Sequence, residues 1–509
     1  MLDPDRSGEK DCGGASDLRR LARERWAADH AEAALSAAWA AYQAQPDDCD
    51  GKVLLTALLS RYPGHIGADK KPALLKLLED PQIDPEQIAA AGWFLMLRDD
   101  RLRANIGEDR EFAALAAHLD VSDLTLVLLR ESPVMDRVAE RTLTRLRRWL
   151  LLSGTWRGYQ RLVDALEAQA LLNGGAWPFD ETERALLDVS AESPIAATYL
   201  PGPTRSTEPA SDDAAADAVT HAVTKQYEGW PFPAWRRITV GNSLRLPDEI
   251  RKLDPEGPNS IPVDAETLIA GCGTGREAAT IALAYPATRI TAIDLSETSL
   301  KYARRQCDLV GATNIRFIRL DLHKIAELGE RFDAIYCSGV LHHLPDPEAG
   351  WSALAAVLRP GGVMKIMVYS RIARFLVSAT RNLIRDLAAG PITDDLLRRV
   401  RQRIMEHSEF APARLLMNTR DFSTLIGTYD LLLHPHEDPF DVPRISRGLE
   451  RLRLRLISFL LPTIDAALRY DARYPHDPRH RDIAAWARFE RSELPRYAGL
   501  YTFVCRKPL

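Results

Sequence analysis

The stretch Glu266-Thr-Leu-Ile-Ala-Gly-Cys-Gly-Thr-Gly-Arg-Glu277 decides the fold of this chain. Its apolar first half reads as a short buried strand, its three glycines as a tight turn, and Arg276-Glu277 as the start of a helix. A Gly-x-Gly-x-Gly turn lets the backbone approach a ligand without Cβ collisions. Its free N–H groups and the helix N-terminus then favour polar or anionic ligand atoms. About twenty residues further on, Arg289-Ile-Thr-Ala-Ile-Asp294 reads as a second strand ending in an acid. A carboxylate there can accept hydrogen bonds from both ribose hydroxyls of a nucleoside. The two segments together build a nucleoside-binding crevice.

Working outward, strand-like runs alternate with helical ones from residue 267 onward. Strands are expected at 267–271, 289–294, 315–320, 333–338 and 363–369, with helices at 277–284, 296–310 and 347–358. Such alternation implies βαβ units and a parallel sheet. A helical insertion is expected at about 370–437, followed by a return at 451–459 and a last strand at 500–505. Upstream, residues 16–199 are rich in Ala, Leu and Arg with helical periodicity, and read as an all-α domain. Helices are expected at 71–78, 84–97, 111–119, 124–129, 138–152 and 159–172, punctuated by Pro and Gly near their ends. Residues 30–59 resemble one tetratricopeptide-like hairpin, without a second clean copy at the period of such repeats. Residues 1–15 are polar and glycine-rich, and are expected to be disordered. The Pro/Ser/Asp-rich composition of 200–225 marks a linker. The last domain then runs from 226 to 509.

With 509 residues, 46% of them hydrophobic, the chain can fill two or three cores. A net charge of -5 gives no electrostatic reason to expect nucleic acid as a partner. The six cysteines are dispersed without a CxxC pair, so neither a disulfide framework nor a zinc site is expected, and a reducing cytoplasm is the default location. No apolar run reaches the roughly twenty residues that span a bilayer, so no membrane is expected as a partner.

A nicotinamide fingerprint wants its third glycine at the sixth place, which here is Arg276. This counts against a dinucleotide oxidoreductase. With the third glycine at Gly275, the segment 262–370 resembles the core of class I S-adenosylmethionine-dependent methyltransferases. The resemblance rests on five motifs in order: Ala270-Gly-Cys-Gly-Thr-Gly275, Asp294, Arg319-Leu-Asp-Leu322, Tyr336-Cys-Ser-Gly-Val-Leu-His-His-Leu344 and Leu358-Arg-Pro-Gly-Gly362. It implies a Rossmann-like seven-stranded α/β domain with S-adenosyl-L-methionine as cofactor. In that family the glycine turn, here Ala270, Gly271, Cys272, Gly273 and Gly275, holds the methionine part. Asp294, with Leu295 after it, binds ribose. Asp321, with Leu322, meets the adenine amino group, and Ser338 lines the pocket from the fourth strand.

The motifs of base-amine, cytosine C5 and arginine methyltransferases are absent, which leaves a small molecule or a protein as the acceptor, through O, N or S. His343 and His342 are candidates for a general base, because imidazole titrates near neutral pH; the alternative is that they only line the pocket. Gln226-Tyr-Glu-Gly-Trp-Pro-Phe-Pro-Ala-Trp235 resembles the entry segment of bacterial methyltransferases with helical tetratricopeptide-like regions, and 430–437 and 500–508 resemble a downstream segment and the ending of the same group. Physically the entry segment suits a stiff aromatic lid, with Tyr227 a candidate to cover the reactive methyl; the alternative is that its rings pack the seam between the domains. His434, His436 and Glu437 lack further ligands, and no metal is expected. The helical domain would recruit a protein or capture substrate. The rival from another class is a non-catalytic sensor of S-adenosylmethionine.

Overall fold

The computed structural model describes residues 7–98, 109–189, 193–199, 217–229, 231–239, 244–388, 390–407, 410–493 and 499–509. Its organising element is one seven-stranded sheet: β1 (Glu266–Ala270), β2 (Arg289–Asp294), β3 (Ile315–Arg319), β4 (Phe332–Ser338), β5 (Leu358–Tyr369), β6 (Arg455–Leu460) and β7 (Leu500–Arg506). The strand order is β3-β2-β1-β4-β5-β7-β6. The first five strands are parallel, and β7 inserts antiparallel between β5 and β6. This is the Rossmann-like α/β architecture the sequence implies. The order reverses between β1 and β4, and at such a point the carboxyl ends of the strands open a ligand crevice.

Side-chain alternation explains why the sheet is covered on both faces. Leu268, Ile335 and Ile366 pack to one side with Trp351, Phe459 and Phe503. Ile269, Ala334, Tyr336 and Val504 pack to the other with Ile281 and Leu300. Helices Arg276–Ala284 and Glu297–Val310 cross from β1 to β2 and from β2 to β3. The second starts where Ser296 accepts the Ser299 amide at 3.0 Å and stops at Gly311 in the left-handed region.

The helices expected upstream all form, within one or two residues at each end: Lys71–Glu79, Pro85–Met96, Asp109–Asp120, Asp123–Glu131, Arg137–Ser153 and Gln160–Asn173. They share one apolar core, including Leu58, Leu77, Trp93, Leu128 and Leu146. Two boundaries differ from expectation. The first helix spans Ser7–Ala27, so it begins inside 1–15, of which residues 1–6 lie outside the described residues. Ala15, Ala22 and Trp26 are buried, and a helix nucleated on that face extends backward at little cost. Likewise helix Ala218–Gly229 occupies the end of the expected linker, whose residues 200–216 lie outside the described residues; it packs on Glu297–Val310 and buries Gln226.

After β5 the expected insertion forms as short helices, the longest being Asp394–Glu406 and Leu425–Leu433. It is fastened to the helical domain. Arg401, fully buried, donates to both oxygens of Glu140 at 3.0 and 3.1 Å, and also to the carbonyls of Ala176 and Phe422. A buried pair satisfied on all sides holds position, and losing one partner of such a pair costs about 3–5 kcal/mol. No single helix among the described residues is long and apolar enough to cross a membrane.

Candidate active site

The crevice begins at the glycine turn. Gly271 has φ of +69°, and a Cβ there would lie 2.3 Å from the Val340 side chain. Gly275 has φ of +81°, and its Cβ would meet Ala303 at 2.8 Å, so helix Glu297–Val310 can close against the turn only because that atom is missing. Between them the Gly273 amide donates to Asp294 Oδ2 at 2.7 Å, while Asp294 Oδ1 accepts the Ser296 amide at 2.9 Å. Each Asp294 oxygen therefore keeps a lone pair for a ligand hydroxyl. Burial raises the Asp294 carboxyl above its usual range, against the lowering effect of the Ser296, Gly273 and Leu295 amides. At the end of β3, Asp321 uses Oδ1 for the His323 amide and ring and leaves Oδ2 open.

A cofactor with a ribose diol and an exocyclic amine fits this donor and acceptor set. Ala270, Cys272 and Leu322 are buried around it, and the Leu295 carbonyl is taken by the Arg319 guanidinium. Ser338 does not turn its hydroxyl freely into the crevice; it donates to Glu277 at 2.9 Å, beside Lys365. Burial holds the Cys272 and Cys337 thiols well up, so neither is a thiolate nucleophile.

The aromatic-proline segment closes over the turn. Thr274 Oγ1 donates to the Pro233 carbonyl at 2.7 Å, and the Trp235 indole donates to the Thr274 carbonyl at 2.9 Å. Glu228 accepts the amides of Glu297 and Thr298 at the start of their helix, where the macrodipole favours a carboxylate. The Tyr227 carbonyl accepts from Ser296, beside Asp294, while the Tyr227 hydroxyl reaches away to donate to Asp430 at 2.8 Å. Tyr227 thus spans the crevice from Asp294 to a second, largely buried polar cluster.

That cluster gathers His342 and His343 from the β4 end, Tyr369 from the end of β5, and Asp430 and His434 from the insertion. The His343 and His434 rings stack 3.7 Å apart, and His342 lies 3.9 Å from Tyr369. Backbone partners assign each tautomer. His342 Nδ1 accepts the Tyr369 amide at 3.2 Å, and His434 Nδ1 accepts the His436 amide at 3.2 Å, so both carry their proton on Nε2. His343 is the reverse: its Nδ1 lies 2.9 Å from the His436 carbonyl and must donate, which leaves Nε2 as an unprotonated acceptor. Burial lowers all three imidazoles below their ordinary range, His434 to about 2, so they are neutral at physiological pH. At His343 the Asp430 charge opposes that lowering. Burial also pushes Tyr227 and Tyr369 well up, which keeps both phenols protonated as donors to Asp430.

His343, Asp430 and His434 offer ligand atoms within 4.8 Å of one another. With its Nδ1 taken by the His436 amide, His434 directs Nε2–H to the Tyr227 hydroxyl at 3.5 Å, which in turn donates to Asp430. Of the trio His434, His436 and Glu437, only His434 joins the cluster. His436 turns to the Leu344 carbonyl, and Glu437 is held by Arg374 and by Arg381 at 3.3 Å. Asp430 and Tyr369 carry site chemistry that the sequence motifs did not assign. A signal existed: Asp430 lies on helix Leu425–Leu433 and His434 follows its end, both within the segment 430–437 that carries the resemblance.

Comparison with known proteins places methyltransferases among those this chain is similar to. A family model described as a methyltransferase domain matches residues 268–362. An uncharacterized protein of Synechococcus sp. is 31% identical over 329 residues, covering 58% of this chain and 73% of that relative. A ubiquinone biosynthesis O-methyltransferase of Xylella fastidiosa is 36% identical over 153 residues, covering 30% of this chain and 58% of its own length. A trans-aconitate 2-methyltransferase of Deinococcus radiodurans is 31% identical over 137 residues, covering 26% and 48%. The chain thus spans about half the length of the two relatives with a named reaction.

Proposed function

We propose that this chain, which belongs to the class I S-adenosylmethionine-dependent methyltransferases, methylates a small molecule at a hydroxyl or amine that gives up its proton to His343. One observation carries this reading: the only imidazole nitrogen of the cluster left as an acceptor, His343 Nε2, is fixed in that state by the His436 carbonyl. S-adenosylmethionine, when bound, supplies a methyl group on a sulfonium, and the neutral thioether is the leaving group. Asp294, oriented by the Gly273 amide, would hold the ribose side, and Asp321 the adenine side. Tyr227 and the prolines after it exclude water above the crevice. An acceptor hydroxyl or ammonium that loses its proton to His343 becomes the nucleophile, and Asp430 stabilises the imidazolium that forms. Tyr227 and Tyr369 keep Asp430 oriented for that task.

A small acceptor is favoured over a protein because His343 is buried beneath lid and insertion, where a slender ligand enters more readily than a folded surface. The two relatives named for trans-aconitate and for ubiquinone biosynthesis act, by those names, on small molecules. The helical region, with its one tetratricopeptide-like hairpin, serves as an interaction domain that also braces the insertion through Arg401. Labelled S-adenosylmethionine incubated with the protein and a cell lysate tests the acceptor class. Label in the small-molecule fraction supports the reading, whereas label confined to protein would assign the acceptor to a protein side chain.

A further inference from the structure

A second cavity, of about 350 Å³, lies between the helical domain and the sheet domain. That volume is in the range of small-ligand sites. None of its lining residues belongs to the His343 cluster. Five arginines and three acids line it, a surplus of two positive charges. Two of the acids are engaged: Arg420 holds Glu86 at 2.8 Å, and Arg237 reaches Glu131 at 3.5 Å while donating to the carbonyls of Leu78, Asp80 and Ile83. The third acid, Asp84, meets Arg276 only at 3.5 Å, and burial raises its carboxyl above the usual range. Arg130 and Arg236 have no hydrogen-bond or ionic partner among the described residues.

The walls also carry apolar surface. Trp235 is buried on one side, and Val53, a valine left half exposed (51%) on helix Cys49–Arg61, lies on the other. Unpaired guanidinium groups beside a flat ring and an exposed valine match an anion with an apolar body.

We propose that this cavity binds a small organic anion, a carboxylate or a phosphate monoester on an apolar frame, held by Arg130 and Arg236 against Trp235 and Val53. The site is separate from the acceptor pocket, yet it adjoins the cofactor turn: Arg276 follows Gly275 directly, and the Trp235 indole donates to the Thr274 carbonyl.

The test is calorimetric titration of the full chain, with its crevice saturated by S-adenosylhomocysteine. The probes are phenylacetate, phenyl phosphate and neutral benzyl alcohol. One or both anions should bind and the alcohol should not, and the two anions distinguish carboxylate from phosphate. In Arg130→Gln/Arg236→Gln the anion affinity should fall about tenfold or more, the loss expected for charge-assisted hydrogen bonds. Val53→Trp, which fills the cavity without touching charge, should abolish binding. S-adenosylhomocysteine affinity, measured in each variant, reports that the fold and the crevice are intact. No binding of either anion at millimolar concentration overturns the proposal, as does binding that both variants leave unchanged.

Discussion

The two sides of the crevice are built in different ways. The cofactor side comes from one continuous βαβ run. The turn glycines, Asp294 and Asp321 lie within about fifty residues of one another, on three adjacent parallel strands. The proposed acceptor side is assembled from four separate segments: Tyr227 before the sheet, His342 and His343 after β4, Tyr369 ending β5, and Asp430 and His434 near the end of the insertion. The first side uses backbone amides and positive-φ glycines, so it tolerates little change in composition. The second uses side chains whose roles depend on which partner each meets. Binding and reactivity should therefore separate under mutation.

The largest effect should come from His343→Gln. Removing the acceptor nitrogen should lower methyl transfer about a hundredfold or more, the range for a general base, with S-adenosylhomocysteine affinity nearly unchanged. Steady-state rates at saturating cofactor, beside calorimetric titration, check both halves. An equal loss in binding and rate would merge the two sides into one.

Next, Asp294→Ala should weaken cofactor binding by roughly tenfold or more, since a charged partner is lost from the crevice. The rate at saturating cofactor should fall far less. Titration with S-adenosylhomocysteine measures the loss, and unchanged affinity would remove Asp294 from the ribose site.

The acceptor side should also mark the protein's pH response. His342 and His434 are held neutral by burial in the folded state, whereas the unfolded chain protonates them near their ordinary value of 6.5. Below that value the unfolded state binds more protons, so stability is lost as pH falls. Between about pH 7.5 and about 5.5, each such histidine should cost about 1.4 kcal/mol. Urea midpoints at the two pH values check this, and His434→Gln should remove one share of the loss. A flat response would contradict the tautomers assigned to the cluster.

The smallest change is expected for Tyr227→Phe, which deletes one hydrogen bond to Asp430 and keeps the ring over the crevice. A rate loss of roughly threefold to tenfold corresponds to about 0.5–1.5 kcal/mol for that bond. A rate equal to that of the unaltered protein would confine Tyr227 to a covering role.

The same contrast explains what could be read from the amino-acid sequence. Gly271, Gly275 and Asp294 are legible because local backbone geometry leaves few residue types able to occupy those positions. The strands were legible for the same reason, being apolar runs with turns between them. His343 was visible as a candidate, yet its role depended on the His436 carbonyl, ninety-three residues away, to set the tautomer. Asp430 stood in the resembling segment 430–437, but its partners Tyr227 and Tyr369 are tertiary contacts that no local pattern supplies. The early start of helix Ser7–Ala27 was missed because glycine-rich composition suggested disorder, while packing of Ala15 and Trp26 decided the outcome. The cavity at the domain seam draws on residues from 53 to 420, and no local pattern announces it.

The most direct test places His343→Gln and Asp294→Ala side by side, measuring S-adenosylhomocysteine affinity by calorimetry and labelled methyl incorporation into the small-molecule fraction at saturating cofactor. A crevice divided as described predicts opposite patterns: normal affinity with transfer down about a hundredfold for His343→Gln, and weakened affinity with transfer largely kept for Asp294→Ala. Full transfer by His343→Gln, or loss of both properties together in each variant, would contradict it.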